Sequence, residues 1–451
     1  MARRVAEAVA EAGGRTFYVG GFVRDRLLHQ VNTDIDIEVH GITPEVLEGI
    51  LDSLGGCTRM GVSFGVYGVQ GCTLDIAMPR REEATGRGHR DFQVYVDPFL
   101  GTEKAARRRD FTINAMMEDV LTGEVVDHFG GREDLRQGVL RHVDSRTFGE
   151  DPLRVLRGAQ FAARFNLQMD SETAEICRNM ELTPLAPERV MGELEKALLQ
   201  AERPSVFFQV LREINQLKDW FPEVEALIGV EQSPVHHPEG DVWNHTMLVL
   251  DQAAGLNGGA KYAGGTAVPQ SALGFMLAAL CHDFGKPATT AAGDDGRIHA
   301  LGHEEAGLEI AEQFLKRLTG NRKLRQYVLN MTQLHMKPNI LAGAGAKVKS
   351  TNKLFDQSVD PEGLILLARA DSMGKPEPSI NQEYEAYLYE RLQEYRRTME
   401  KPYVQGADLI AAGLHPGPEF SDVLAYAHKL RLAGVEKENA LKQTLAYARK
   451  S

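Results

Sequence analysis

Residues 20–38, with the sequence GGFVRDRLLHQVNTDIDIE, restrict the possible folds of this chain more than any other stretch. The stretch begins with two glycines, continues as a short amphipathic segment and ends with acidic and apolar residues in strict alternation. Successive side chains of a β-strand point to opposite faces, so Asp34, Asp36 and Glu38 share one face and apolar residues share the other. The pattern predicts a strand with one acidic and one apolar face.

The acidic face has two interpretations. Carboxylates on one side of an otherwise apolar strand repel each other, and a pair of Mg²⁺ ions that serves a nucleotide triphosphate is the usual reason for such an arrangement. The alternative is the solvent-facing side of an edge strand. The upstream pair Gly20-Gly21 favours the first interpretation, because a glycine turn that enters a helix exposes backbone N–H groups suited to phosphate.

The length and composition of the chain indicate its broad class. A chain of 451 residues is long enough for two to four domains with sizeable cores. Its 43% hydrophobic and 25% charged residues are ordinary for a globular protein. The formal net charge of −12 argues against a protein that coats nucleic acid nonspecifically, but it is compatible with a local basic groove.

Cysteine usage and the N-terminus indicate the compartment. The four cysteines are widely spaced and form no CxxC pair, which is typical of reduced thiols in a cytosolic protein. Residues 1–14 include basic residues but no apolar segment of signal-peptide length, and no run approaches the length of a membrane span. We therefore expect a soluble, cytoplasmic protein without a membrane partner.

A third carboxylate follows the acidic strand. Residues 64–78 consist of two short alternating runs around a Gln-Gly turn, which predicts a β-hairpin. Asp75 alternates with apolar residues in this hairpin and therefore points away from its apolar side. It is either a third acidic group beside Asp34 and Asp36 or an exposed strand residue. Residues 79–105 are rich in Arg, Glu and Gly without periodicity, which predicts a mobile loop.

Residues 107–116, RRRDFTINAM, place three arginines directly before an aspartate at the edge of an apolar segment. The arginines are either a solvated charge cluster or, beside a triphosphate site, phosphate ligands. In the second interpretation Asp110 and Asn114 are free for ribose hydroxyls. Residues 125–135 resemble a last strand and turn that close a small α/β unit.

From Glu150 onward the chain reads as a series of helices. Asp151 and Arg154 lie three residues apart, so they share one face of the helix that begins there. They form either a structural ion pair or a site that reads the edge of a base. In the second interpretation Asp151 accepts a hydrogen bond and Arg154 donates, which suits the exocyclic amine and the adjacent ring nitrogen of cytosine and adenine. Uracil and guanine present the opposite pattern. Arg157 and Arg164 add cations to the same region.

Histidines are much denser between residues 231 and 371 than in the rest of the chain. The pair His282-Asp283 follows an apolar run and is predicted to cap a buried helix at a cavity. A lone histidine is more often a core residue, but several neutral imidazoles with two carboxylates are what a divalent-metal hydrolase requires. The residues concerned are His236, His237, His245, His282, Asp283, His299, His303, His335 and Asp371. The glycine-rich segment 255–265 is expected to be a loop.

Taken together, these motifs resemble a known family. GGFVRD, TDIDIEVHG, RRRDFTINAM, VVDHFGGREDL and EDPLRVLRGAQFAARF are similar to class II tRNA nucleotidyltransferases, the CCA-adding enzymes of the polymerase-β-type superfamily. HHPEGDVWNHT, LCHDFGK, ALGHEEAG and ARADSMG resemble an HD-type metal phosphohydrolase domain, and YVQGADLIAAGLHPGP recurs in CCA-adding enzymes. The resemblance covers nearly the whole chain, and bacterial CCA-adding enzymes with an HD domain are the closest architectural match.

The resemblance implies an α+β fold in four parts. Residues 1–140 are expected to form a polymerase-β-like nucleotidyltransferase head with a mixed or antiparallel sheet and helices. Residues 141–230 are expected to form an all-α neck and body that selects the nucleotide and binds tRNA. An all-α HD domain over residues 231–380 and a helical tail over residues 381–451 complete the expected order.

For the head, the resemblance implies template-independent addition of CCA to the 3′ acceptor end of tRNA with CTP and ATP. Asp34 and Asp36 are implied as ligands of two Mg²⁺ ions, with Asp75 as a third candidate catalytic carboxylate. Gly20, Gly21 and Arg24 are implied at the triphosphate, and Arg109, Asp110 and Asn114 are the candidates at the incoming nucleotide. Asp151 and Arg154 are implied as the template that admits CTP and ATP, with Arg157 as their support. Arg154, Arg157, Arg164 and the arginines at 107–109 are expected to line the tRNA groove.

For the HD domain, the resemblance implies a second metal chemistry. His245, His282, Asp283 and Asp371 match the metal-binding pattern, with His282 and Asp283 as catalytic candidates, and His303 and His335 extend it toward a second metal ion. Ni²⁺, Mn²⁺, Mg²⁺ and Zn²⁺ all suit this set of ligands. Family members use the domain for phosphatase, 2′-nucleotidase and 2′,3′-cyclic phosphodiesterase reactions, which suggests repair of damaged tRNA ends.

Three alternatives stay open at this point. A bacterial poly(A) polymerase shares nearly every head motif, although the HD domain and the tail argue against it. An enzyme that adds only CC or only A carries the same motifs. A phosphohydrolase whose head is a degenerate tRNA-binding module is the third. The sequence leaves open whether the protein is a monomer or a dimer.

Overall fold

The structure, a computed structural model, describes residues 1–61, 65–84, 92–234, 237–256, 270–293, 297–375 and 382–449. These residues form two compact units, one from Met1 to Trp220 and one from Phe221 onward. Among the described residues, no helix is both long enough and apolar enough to cross a membrane.

The first unit begins with a region of alternating strands and short helices. Its elements are α1 (Ala2–Glu11), β1 (Arg15–Val19), α2 (Gly21–Leu27), β2 (Ile35–His40), α3 (Pro44–Leu54), β3 (Cys57–Gly61), β4 (Val66–Val69), β5 (Leu74–Ala77), β6 (Arg80–Ala84), β7 (Phe92–Val96), α4 (Thr102–Arg107), a 3₁₀ turn (Thr112–Asn114), β8 (Met117–Asp119), β9 (Val125–Val126), α5 (Gly131–Gln137) and β10 (Val139–Leu140).

Seven of these strands form one mixed sheet in the order β3-β4-β5-β2-β1-β8-β9. All neighbouring strands are antiparallel except β2 and β5, which run parallel with Asp36 opposite Asp75. The strand β2 therefore lies inside the sheet, between β5 and β1. The apolar face of β2 contributes Ile37 and Val39 to a core that also contains residues of α1 and α3. The opposite, acidic face of β2 is left for the site.

Helices make up most of the remainder of the first unit. They are α6 (Ser145–Phe148), α7 (Leu153–Phe165), α8 (Ser171–Arg178), α9 (Pro187–Gln200) and α10 (Ser205–Glu213), with the short strand β11 (Gln168–Met169) paired with β10. The helix α7 is buried along most of its length and packs against α9 and α10. The packing fixes the position of this helix, which carries Arg154 and Arg157.

The second unit is almost entirely helical. Its elements are α11 (Pro222–Glu225), α12 (Val242–Leu256), α13 (Gln270–Cys281), α14 (Lys286–Thr289), β12 (Ala291–Ala292), β13 (Ile298–His299), α15 (His303–Leu318), α16 (Arg322–Leu334), α17 (Lys337–Gly343), α18 (Val348–Gln357), α19 (Pro361–Met373), α20 (Gln382–Glu400), α21 (Gly406–Ala411), α22 (Phe420–Leu432) and α23 (Lys437–Ala448). The helix α13 packs against α12 and α16, which brings the ends of these helices together.

The expected α+β class is confirmed, with strands in the head and helices in the rest of the chain. The predicted hairpin is also present, since β4 and β5 pair antiparallel across the Gln70-Gly71 turn. The prediction of a loop over residues 79–105 is wrong for the described part of the segment, since β6 and β7 pair with each other and α4 follows them. Residues 85–91 lie outside the described residues. The charged side chains of β6 mask its strand character in the sequence, and its stability depends on backbone hydrogen bonds with β7.

Some sequence predictions lie outside the described residues. They concern Phe64 at the start of the predicted hairpin, His236, and the glycine-rich segment from residue 257 onward. Two boundaries differ by a residue or two, because the acidic strand begins at Ile35 and the helix predicted from Asp151 begins at Leu153. The four-part division of the chain stays a prediction.

A matched pair of substitutions on α3 tests the core beneath the acidic strand. Leu47 is completely buried, whereas its neighbour Val46 is 43% exposed. Leu47→Ala is expected to lower the free energy of unfolding by about 2–5 kcal/mol, because it leaves a cavity in the core. Val46→Ala should change it by no more than about 0.5 kcal/mol. Urea denaturation followed by circular dichroism measures both, and equal effects would contradict this packing.

Candidate active sites

One cavity of about 1500 Å³ in the first unit is lined by most of the residues of this unit that the sequence predicted for a site. Its walls come from the start of α2, from β2 and β5, from the segment after α4, and from α7 and α9. The predicted residues that line it are Gly20, Gly21, Arg24, Asp34, Asp36, Asp75, Arg109, Asp110, Asn114, Asp151, Arg154 and Arg157. The structure thus brings them together, while their individual roles stay predictions.

Three carboxylates approach each other on one side of this cavity. Asp34 is exposed just before β2, Asp36 is half-buried on β2, and Asp75 is exposed on β5 directly opposite Asp36. Burial, together with repulsion from Asp34 and Asp75, raises the pKa of Asp36 to about 6, although Arg109 opposes the shift. Oxygen ligands that destabilise each other's charge suit a hard divalent cation such as Mg²⁺. The alternative of an edge strand is wrong, since β2 is an inner strand.

The backbone of Gly20, beside this cavity, has a conformation that favours glycine. Gly20 has a φ of 67°, in the left-handed region that favours glycine. A Cβ atom at this position would lie 3.4 Å from Nη1 of Arg109 and 3.9 Å from Oδ2 of Asp36. Glu38, the third acidic residue of β2, is buried and binds Nε2 of His40 at 2.9 Å, with Nη2 of Arg109 at 3.6 Å. Glu38 also lines the cavity, where it lies between His40 and Arg109.

The sequence predicted that Asp110 and Asn114 are free for ribose hydroxyls, but both are bonded within the protein, and their role at the ribose stays a prediction. Nε and Nη2 of Arg157 lie 2.7 and 2.6 Å from Oδ2 of Asp110. Its Oδ1 accepts hydrogen bonds from the Phe111 backbone and from Asn114. Burial favours the neutral carboxyl, but Arg157 and Asn114 outweigh it and hold the pKa of Asp110 below its usual value. The motif RRRDFTINAM identified Asp110 but could not reveal its pairing with Arg157, which lies 47 residues later in the chain.

Two further arginines have positions that the motifs alone did not reveal. Arg24 is buried, donates to Asp25 and to Oδ1 of Asn114 at 2.6 Å, and lies 4.2 Å from the ring centroid of Phe165. Arg107 does not line the cavity, contrary to its prediction as a groove residue. It pairs with Glu103 instead, because the last turn of α4 directs it there. Arg108 and Arg109 do line the cavity.

Asp151 and Arg154 both line the cavity but do not pair with each other, so the structural ion pair is wrong. Oδ1 of Asp151 accepts from the Leu153 backbone, and Oδ2 pairs with Arg189 at 2.9 Å. Arg154 donates to the carbonyl oxygens of Thr147 and Arg108 at 2.7 and 2.9 Å. Arg189, on α9, was missed because its partner lies 38 residues earlier in the chain.

In the second unit, six predicted residues converge into a histidine cluster. His245 lies in α12, His282 and Asp283 follow α13, His303 starts α15, His335 follows α16, and Asp371 lies in α19. Within the sets His245/His282/Asp371 and Asp283/His303/His335, the potential ligand atoms all lie within 4.8 Å of one another. A third set of potential ligand atoms within this distance consists of His237, Glu239 and His245. His299, another predicted histidine, is exposed on β13 and belongs to none of the three sets.

The charges of the cluster are strongly coupled. Burial disfavours the charged ring of His245, but Asp371 and Glu239 outweigh burial and raise its pKa to about 9. Burial opposes ionisation of Asp283 and Asp371, yet the neighbouring histidines keep the pKa of both carboxyls below the usual range. Burial and the nearby His282 lower the pKa of His335 to about 4.

The donor set of this cluster fits a divalent cation. Neutral imidazoles and carboxylates are preferred ligands of first-row transition metals. Nε2 of His282 is buried without a well-aligned hydrogen bond among the described residues, and it faces Oδ2 of Asp283 at 3.2 Å. Lys286 lies on the other side of Asp283, 2.7 Å from Oδ2. The LCHDFGK motif contains Lys286, but the sequence analysis did not predict its contact with Asp283.

Comparison with known families is consistent with both sites. A family model described as "Poly A polymerase head domain" matches residues 16–141. A model described as "Probable RNA and SrmB- binding site of polymerase A" matches residues 166–228. The model "HD domain" matches residues 242–374, which contain all six residues of the histidine cluster.

Similar proteins cover most of the chain. It is 38% identical over 327 residues to the multifunctional CCA protein of Halorhodospira halophila, a match that covers 71% of this chain and 73% of that protein. It is 37% identical over 370 residues to the protein of the same description in Stenotrophomonas maltophilia, with 80% and 82% coverage. The chain belongs to the multifunctional CCA protein family. The resemblance inferred from its motifs is therefore confirmed.

Solved structures of CCA-adding enzymes share the fold. The Thermotoga maritima enzyme complexed with tRNA superposes with a TM-score of 0.63 at 20% identity, covering 99% of this chain and 94% of that chain. A complex of a CCA-adding enzyme with ATP gives a TM-score of 0.66 at 20% identity, with the same coverage. Membership of the multifunctional CCA protein family thus agrees with the fold of both units.

Loss of a central imidazole should remove stabilisation by a divalent cation. In a chain that carries Asp34→Ala and Asp36→Ala, which remove the candidate cation site of the first unit, Mn²⁺ at about 100 times its dissociation constant should raise the free energy of unfolding by about 2.7 kcal/mol. His282→Ala should lose most of this gain, because Nε2 of His282 faces the cluster. His428→Ala is the control, since His428 pairs with Asp356 outside the cluster. Urea denaturation with and without Mn²⁺ measures the gain, and an equal gain in both variants would contradict the metal site.

Proposed function

We propose that the cavity of the first unit adds CCA to the 3′ end of tRNA, using CTP and ATP, and that the histidine cluster hydrolyses phosphate esters at the same kind of RNA end. The relatives of the chain are named multifunctional CCA proteins. The observation that carries the first activity is the convergence of three carboxylates with Asp151 and Arg154 in one cavity. The residues proposed for phosphoryl transfer and those proposed for base selection thus line the same cavity.

The carboxylates suit phosphoryl transfer. Mg²⁺ ions held by Asp34 and Asp36 would supply activation of the tRNA 3′-hydroxyl and neutralisation of the leaving pyrophosphate. Asp75 lies beside them on β5 and adds negative charge for the same cations. Arg108 and Arg109 also line this cavity and would present positive charge to the triphosphate, and Glu38 lies 3.6 Å from Nη2 of Arg109. Positioning and charge neutralisation provide most of the rate in reactions of this kind.

Asp151 and Arg154 retain the capacity to read a base. Each carboxylate oxygen of Asp151 has one protein partner and two acceptor positions, so the side chain can still accept a hydrogen bond from an exocyclic amine. Arg154 uses Nη1 and Nη2 for one backbone carbonyl each and has further N–H groups for a ring nitrogen. Cytosine and adenine fit this combination, whereas uracil and guanine do not.

The ion pair between Asp110 and Arg157 helps to fix the position of Arg154. The Asp110–Arg157 pair connects the segment after α4 to α7, which carries Arg154 one turn earlier. Arg24 joins the same network through Asn114. We infer that Asp110 acts on the incoming nucleotide mainly by fixing Arg157 and the start of α7. A ribose hydroxyl can approach Asp110 only beside these existing bonds.

The histidine cluster is proposed to act as a phosphohydrolase centre with phosphatase, 2′-nucleotidase and 2′,3′-cyclic phosphodiesterase activities. A divalent ion such as Ni²⁺, Mn²⁺ or Mg²⁺ held there would activate water and polarise the phosphate. Asp283 contacts His282, His303 and Lys286 and therefore connects both ligand sets. The HD family model over this region supports the assignment.

One assay tests the first activity. A tRNA that lacks its 3′ CCA is incubated with labelled CTP and ATP, and the ends of the products are sequenced. Addition of CCA alone supports the proposal. A long A tract would indicate a poly(A) polymerase, CC or A alone a specialised enzyme, and no addition a hydrolase with a tRNA-binding head.

Substitutions in the two sites should separate the two activities. Asp36→Ala should lower nucleotide addition by on the order of 10²- to 10³-fold or more, because it removes a charge that the transition state requires. Hydrolysis of 2′,3′-cyclic phosphates should persist in this variant. The double substitution His282→Ala with Asp283→Ala should have the reverse effect. Loss of both activities in a folded single-site variant would contradict the two-site assignment.

Arg189 should affect base selection through Asp151. Arg189→Ala removes the ion pair with Oδ2 of Asp151. Both side chains are well exposed, so the pair contributes about 0.2–1 kcal/mol, which corresponds to a fall of roughly 1.5- to 5-fold in kcat/KM for CTP and ATP. Incorporation of UTP should rise relative to CTP. Arg136→Ala, which removes an exposed arginine paired with Glu133 on α5, is the control, and equal behaviour of the two variants would exclude this role.

A further inference from the structure

The histidine cluster holds most of its rings in one common way. His282, His303 and His335 each place Nδ1 within 2.6–2.8 Å of the backbone carbonyl three residues earlier, at Ala279, Ala300 and Thr332. A carbonyl only accepts hydrogen bonds, so Nδ1 of each ring carries the proton. Nε2 then points into the cluster with its lone pair available. The local backbone thus sets the tautomer of these three rings.

His245 is held differently. Its Nδ1 lies 2.8 Å from Oε1 of Glu239 and 3.0 Å from the carbonyl oxygen of Gly374, and its Nε2 faces Oδ1 of Asp371 at 3.0 Å. The ring is completely buried. Among the four central histidines, His245 is thus the one whose Nδ1 is bound by a side-chain carboxylate.

Burial of the Glu239 carboxylate is energetically unfavourable unless its charge is used by a neighbouring group. Its side chain is 1% exposed, and Oε1 also accepts a hydrogen bond from Nδ1 of His237 at 2.8 Å. Its second oxygen, Oε2, is buried and has no hydrogen-bond partner among the described residues. A buried carboxylate with an unsatisfied oxygen destabilises the fold unless the surroundings use its charge.

We propose that Glu239 is a positioning residue of the metal centre, which fixes the orientation of His245, and its tautomer once a cation replaces the proton on Nε2, so that Nε2 faces Asp371 and Asp283. The inference rests on the proposed function of the histidine cluster as a divalent-metal site. Glu239 acts through His245 and does not itself ligate the metal. A carboxylate on the far nitrogen makes an imidazole a stronger ligand than a backbone carbonyl does.

His237 completes the arrangement from the other side of Glu239. It donates Nδ1–H to Oε1 of Glu239, and its ring lies edge-on to that of His245 with the ring centroids 4.8 Å apart. The same carboxylate oxygen therefore contacts both rings. His237 and Glu239 both lie in the motif HHPEGDVWNH, only a few residues before His245.

The test measures binding of Mn²⁺ alone to the full chain. Free Mn²⁺ is followed by electron paramagnetic resonance in chains that carry Asp34→Ala and Asp36→Ala, so that binding reports on the histidine cluster. Glu239→Ala should raise the dissociation constant by about 10- to 100-fold while the number of bound ions stays the same. Glu239→Gln should raise it less, because the amide oxygen still accepts from Nδ1 of His245. Circular dichroism verifies that each variant is folded, and Glu239→Gln provides the test if Glu239→Ala is not.

Glu304→Gln is the matched control. Glu304 lies 3.7 Å from Nδ1 of His303, beyond hydrogen-bond distance, so this substitution removes a nearby charge without removing an orienting contact. Its dissociation constant should equal that of the parent. A shift as large as that of Glu239→Gln would mean that charge alone acts, and would overturn the inference.

Two further outcomes would also overturn it. Unchanged Mn²⁺ affinity in both Glu239 variants would show that His245 is held without Glu239. Loss of a bound ion in Glu239→Gln would make Glu239 a ligand and not a positioning residue. These results differ from failure of the proposed function itself, in which the parent chain would bind no Mn²⁺ at the cluster and would not hydrolyse 2′,3′-cyclic phosphates.

Discussion

The parallel pairing of β2 with β5 is the interaction on which the site of the first unit depends. It places Asp36 opposite Asp75 and leaves Asp34 at the entry of the same strand. The apolar face of β2 is buried against α1 and α3, so a slip of one residue would turn the carboxylates into the core. The stability of the sheet and the position of the charges are therefore coupled. The raised pKa of Asp36 shows the electrostatic cost of this arrangement, which a bound cation would relieve.

Around these carboxylates, arginines connect segments that are distant in the chain. Arg157 binds Asp110, Arg24 binds Asn114, and Arg189 binds Asp151. Each of these contacts reduces the freedom of a group that lines the cavity. Preorganised charges of this kind stabilise a transition state without reorganisation during the reaction. In the second unit the same principle applies to imidazoles, which are oriented by backbone carbonyls at three positions and by Glu239 at the fourth.

Much of the fold and of both sites could be predicted from local patterns. The alternation of residues in β2, the hairpin of β4 and β5, and the apolar run before His282 all have a period or a turn that a short window reveals. Family motifs supplied the candidate residues, which the structure gathers into one cavity and one cluster. The strands β6 and β7 were missed because polar residues mask the first of them. The interaction partners of Asp110, Asp151 and Arg107 were predicted wrongly or not at all. Spacing along the chain does not indicate which distant charged residue lies next to a given side chain in the fold.

By itself, the sequence determined which residue types are present, which face of each element they occupy, and to which family the chain belongs. These properties depend on the chain neighbours of each residue and on short-range geometry. Only the tertiary structure decided which charges meet, such as Asp151 with Arg189, and which ring nitrogen of His245 faces the cluster. Such contacts join residues that are far apart in the chain, and their energies depend on burial and on atomic distances that no local pattern contains.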